Sequence, residues 1–231
     1  MLALAPLTPL FGAVLICWIF SVCIHEFAHA LVAYWGGDRS VKDKGYLRFD
    51  ILSYVHPVTS ILVPIVFLAM GGLPLPGGAV YIERNRLRGR HWEAAVSAAG
   101  PASNFVLFLI LAAVIHPSMG IVDVAANERR VWVTLLGAMT TLQLFAVFFN
   151  LIPIPPLDGF GIIEPYLSYD VREKARRLGW GGLVVIFLLF ASVPGLMDGF
   201  MDLVDVVMTS FGLPFERTWR FYNIALFGSS E

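Results

Sequence analysis

Three apolar stretches, residues 10–35, 92–115 and 131–151, each exceed the ~20 residues that a helix needs to cross the ~30 Å hydrocarbon core of a bilayer. No water reaches backbone groups at that depth, so such segments must satisfy their own hydrogen bonds as helices. The expected fold is therefore an all-α polytopic membrane protein with a three-helix core. Composition agrees, since 58% of the 231 residues are hydrophobic and 14% charged. The expected partner is the lipid bilayer. A formal net charge of −1 points to no nucleic acid.

The first stretch contains an anomaly, the run His25-Glu26-Phe27-Ala28-His29. A charged carboxylate at mid-bilayer costs roughly 2–4 kcal/mol on insertion scales unless it is paired, so ionisable groups in such segments point to function. On a helix His25 and His29 project from one face, where two imidazoles can hold one metal ion, and Glu26 lies beside them to handle the proton of a water. Catalytic zinc sites use three protein ligands. The best third candidate is Asp158, in NLIPIPPLDG at residues 150–159. The prolines there forbid a continued helix and predict an extended segment, and Gly159 allows a tight turn after it.

Between the first and second stretches, residues 57–73 are apolar but interrupted by Pro64 and followed by glycines and prolines, so they either span or dip in and return. Residues 79–83 read as a short strand. A fourth, shorter spanning candidate covers residues 180–193. Beyond it Asp198, Asp202 and Asp205 share a helical face opposite Phe200, Met201, Val204 and Met208, the pattern of an interfacial helix rather than a metal cluster. Residues 215–227 read as an amphipathic tail at the interface. Cys17 and Cys23 form neither a disulfide framework nor a thiolate site. Residues 1–10 carry no basic region, so the first stretch does not read as a removable signal peptide. His56 precedes Pro57 and is a candidate gate or ligand-supporting group, although a polar interfacial role is favoured for it, as for His91 and His116. No repeat or separate soluble domain is visible, and residues 1–231 read as one domain with a core at about 10–161 and C-terminal helices at about 178–228.

HEFAH in the first helix, AGPASN at residues 99–104 and NLIPIPPLDG together resemble the three signatures of the site-2 protease family. These are intramembrane zinc metalloproteases that cut transmembrane segments of other proteins. The resemblance implies that His25, His29 and Asp158 bind one zinc ion and that Glu26 is general base and acid. It also implies that Asn150 hydrogen-bonds the scissile carbonyl or the oxyanion, and that Asn104 helps position substrate or the site. The chain differs from larger members in lacking a PDZ insert, and Phe160 stands where many relatives have a second glycine.

Charge distribution tests the ligand set independently. If residues 57–73 crossed fully, Asp158 would emerge on the opposite side from the His29 end of the first helix, too far for Zn–N and Zn–O contacts of ~2.0–2.2 Å. If they are re-entrant, 12 of the 16 basic residues share one side, whereas a full crossing splits them 8 and 8. The positive-inside rule favours re-entry and sets the active-site end towards the cytoplasm, in what is expected to be the cell membrane. Two alternatives stay open, a metal transport protein and a catalytically inactive metal-binding scaffold.

Overall fold

The computed structural model describes residues 9–48, 54, 80–124, 127, 130–179 and 181–227. Among these, three helices are long and apolar enough to span a membrane, α1 (Pro9–Gly36), α3 (Arg90–Ile115) and α4 (Val131–Asn150). A single turn, α2 (Ser40–Asp43), follows α1. Lipid tails are as apolar as leucine, so close approach rather than water exclusion binds such helices, and small residues let backbones come together. Ala30, Ala33, Ala112 and Ala138 are buried accordingly. α1 packs along α3, and α3 along α4.

After α4 the chain curls through successive turns, with Leu157 N–H donating to Ile154 O at 3.0 Å. The sequence predicted an extended segment and a tight turn; instead Asp158 opens a short helix, α5 (Asp158–Ile163). Gly159 makes this possible. A Cβ there would lie 2.2 Å from Leu151 O and 2.6 Å from Ile152 O, so only glycine lets α5 fold back against the end of α4.

The C-terminal half adds α6 (Tyr169–Leu178), α7 (Gly181–Ser192), α8 (Leu196–Ser210) and α9 (Phe215–Phe227). α7 has 12 residues, about 18 Å of helix, and bends 79° from α6, so by itself it is shorter than a membrane span. α8 keeps the expected stripe, with Val204 and Met208 buried and its aspartates exposed. The expected interfacial tail at 215–227 is a correction: α9 packs into the bundle along α4. Phe221 and Tyr222 are 1% exposed and Ala225 is fully buried. Gly137 of α4 supplies the notch, because a Cβ there would stand 2.2 Å from the Phe221 ring.

Residues 80–83 form no strand; they run without regular structure into a 3-10 turn at Arg84–Arg86. Side chains rather than a neighbouring strand take up their backbone groups, Glu26 Oε2 accepting from Val80 N–H at 3.2 Å and Asp38 Oδ2 from Glu83 N–H at 2.7 Å. Arg88 N–H donates to Gly36 O at 2.9 Å, and Lys44 Nζ lies 3.1 Å from Tyr81 O. The chain thus leaves α1 and enters α3 at the same end of the bundle. Residues 57–73, His56 and Ala79 lie outside the described residues.

Candidate metal centre and active site

His25, Glu26 and His29 project from the middle of α1 and are buried at 5%, 7% and 7% exposure. The outer nitrogen of each imidazole is fixed by an acceptor. His25 Nδ1 lies 2.6 Å from Asn104 Oδ1, and His29 Nδ1 lies 2.6 Å from the carbonyl of Val96, both from α3. Asn104 is itself oriented, because its Nδ2 donates to Gln143 Oε1 at 2.8 Å and to Ser21 Oγ at 3.2 Å. Gln143 Oε1 also accepts from Ser21 Oγ at 2.8 Å. With Nδ1 of each ring acting as donor, the neutral tautomer leaves a lone pair on each Nε2.

Those lone pairs converge. The two Nε2 atoms are 3.0 Å apart, with the rings at 80° to one another. Asp158, brought up by α5, sets Oδ2 3.1 Å from His25 Nε2 and Oδ1 3.4 Å from His29 Nε2. Its Oδ2 is buried without a hydrogen-bond partner. Among the described residues, His25, His29 and Asp158 are the group whose ligand atoms all fall within 4.8 Å of one another. Lone pairs this close repel unless a cation lies between them, and an N, N, O set suits zinc.

Gly100, in AGPASN, completes the fit. A Cβ at this position would lie 2.3 Å from His29 Nε2 and 2.4 Å from His25 Nε2. Zinc–nitrogen contacts are ~2.0–2.1 Å, so a methyl group would occupy nearly the space an ion needs. The cradle exists because this turn of α3 carries no side chain.

Comparison with known proteins agrees with this geometry. Rip2 of Mycolicibacterium smegmatis is 39% identical over 188 residues, covering 81% of this chain and 69% of that protein. Rip2 of Mycobacterium tuberculosis is 34% identical over 187 residues, covering 81% and 69%. YwhC of Bacillus subtilis is 33% identical over 186 residues, covering 77% and 79%. All three carry provisional names as zinc metalloproteases. The chain belongs to the site-2 protease family. No family model and no solved structure matches it.

Within the site-2 protease frame, the six residues singled out in the sequence are all buried or near-buried at this end of the bundle, and their contacts differentiate them. Glu26 faces the Val80–Glu83 segment through its bond to Val80 N–H. Asn150, at the last turn of α4, is 3% exposed, and its Nδ2 is buried without a partner, a donor free for another group. Asn104 was expected to position substrate or the site, and its contacts bear on the second of these: it is 2% exposed and its amide is engaged by His25, Ser21 and Gln143. Sequence reasoning missed Ser21, Val96, Gly100 and Gln143. Gly100 carried a signal by lying within AGPASN, and Gln143 as an amide within an apolar stretch where unpaired polar groups are costly.

Proposed function

We propose that this chain is an intramembrane zinc metalloprotease that hydrolyses peptide bonds within or near transmembrane segments of other membrane proteins, with one zinc held by His25, His29 and Asp158. The observation that carries the reading is the convergence of two Nε2 lone pairs from α1, a helix long enough to span a bilayer that also carries Glu26, with an unpartnered carboxylate oxygen from the short helix after α4. When bound, zinc supplies a Lewis acid that acidifies a water and polarises the scissile carbonyl.

The remaining work falls to side chains. Glu26 takes the proton of the attacking water and returns it to the leaving amine. Asn150 Nδ2 donates a hydrogen bond to the oxyanion that develops on the carbonyl. No covalent intermediate is needed. A substrate helix hides its carbonyls in its own hydrogen bonds, so it must unwind locally before attack, and the Val80–Glu83 segment lies beside Glu26 where the unwound stretch would pass.

Topology follows the same reading. α1 ends and α3 begins at one end of the bundle, which supports a re-entrant path for residues 57–73, and the concentration of arginine and lysine at that end supports a cytoplasmic active-site mouth.

The test is Glu26→Gln. We expect the purified variant to retain about one zinc per chain, as a set of three ligands untouched by the change requires. Membranes from cells carrying it are expected to accumulate transmembrane stubs that wild-type cells clear. Normal processing of every membrane protein in those cells would overturn the peptidase reading and leave a metal-binding scaffold.

A further inference from the structure

The mechanism makes no use of Glu164, a carboxylate whose side chain is 3% exposed, one residue beyond α5. Each of its oxygens takes a different arginine. Oε2 accepts from Arg84 Nη1 and Oε1 from Arg176 Nε, and the two arginine side chains are 42% and 57% exposed. One guanidinium is enough to neutralise one buried carboxylate. The second therefore has a role besides charge.

The position of Arg84 indicates that role. It directly follows the Val80–Glu83 segment, whose Val80 N–H binds Glu26. Among the described residues, Glu83 pairs locally with Arg86, and further polar contacts of this segment run back to the end of α1 and the turn after it: Glu83 N–H to Asp38, and Lys44 Nζ to Tyr81 O and Glu83 Oε1. Arg84 reaches across instead to Glu164, the residue directly after the helix that presents Asp158. The Arg84–Glu164 pair thus ties the segment touching the general base to the element carrying the third ligand.

We propose that Glu164 is a positioning residue: through Arg84 it fixes the Val80–Glu83 segment, and with it the carboxylate of Glu26, relative to Asp158. Arg176 supplies neutrality and anchors α6 and has no such part. This rests on the peptidase reading above and adds a device to it.

The experiment compares Arg84→Gln, Glu164→Gln and Arg176→Gln in the full-length protein in detergent, with two readouts. Amide hydrogen exchange across residues 80–83 needs no activity, and we expect it to accelerate about tenfold or more in the Arg84 and Glu164 variants while Arg176→Gln stays near wild type. Peptidase assays are expected to show kcat lowered about tenfold or more in the first two variants, with KM and zinc content little changed. Wild-type exchange in Arg84→Gln, or equal acceleration in Arg176→Gln, overturns the proposal. So does a loss of kcat that only tracks loss of zinc. Should Glu164→Gln fail to fold, the two arginine variants decide alone. If the wild-type protein cleaves nothing, the peptidase reading fails, and the exchange measurement still judges the role of Glu164.

Discussion

Asn104 and Gly100 serve the metal ligands from opposite directions, one by what it donates and accepts, the other by what it lacks. Residues that orient a ligating imidazole typically contribute 10–100-fold to metal affinity. Asn104→Ala should therefore weaken zinc binding by about that factor in a competition titration, with the helical content unchanged. Gly100→Ala should cost more, about two orders of magnitude or above, because its methyl would stand between the two Nε2 atoms rather than loosen one ring. Binding within about twofold of wild type in Gly100→Ala would show that the bundle opens to admit the methyl. The convergence of three side chains was legible, His25 and His29 from spacing and depth and Asp158 from its rigid surroundings. The network behind them was not. Ser21, Asn104 and Gln143 lie on three different spanning helices, and nothing in one sequence states which faces of those helices meet.

The spanning helices were legible within a few residues because a long apolar run admits no other solution in lipid. Elements defined by their neighbours were harder. Residues 215–227 have the alternation of an interfacial helix, but the groove at Gly137 accepts the Phe221 ring and draws α9 into the core, a complementarity invisible in either segment alone. Overpacking of such a contact typically costs 1–3 kcal/mol. Gly137→Ala should lower the unfolding free energy in detergent by about that amount, and adding Phe221→Ala should recover part of the loss rather than compound it. Simple addition of the two penalties would mean that the contact does not couple them. Residues 79–83, bounded by glycines and by Arg84, read as a strand, yet at 80–83 the carboxylates of Glu26 and Asp38 take backbone donors that a strand partner would use.

Across the whole molecule an ion at the proposed centre would also be a fastener, because His25 and His29 lie on α1 and Asp158 in the segment after α4. A ligand that binds only the folded state stabilises it by about 2.7 kcal/mol at a hundredfold excess over its dissociation constant. Chelation should accordingly lower the thermal midpoint of the wild-type protein and leave that of a His25→Ala variant nearly where it was; an unchanged wild-type midpoint would exclude a structural contribution from the ion. The order of the ligands along the chain has a further consequence. The histidine pair lies in the first spanning helix and the aspartate beyond the third, with the glycine cradle between them. A ribosome that stalls before the proline-rich turns releases a product holding the recognisable hydrolase signature but no working centre. On the proposed ligand set, assembly of the last piece is therefore itself the activation step.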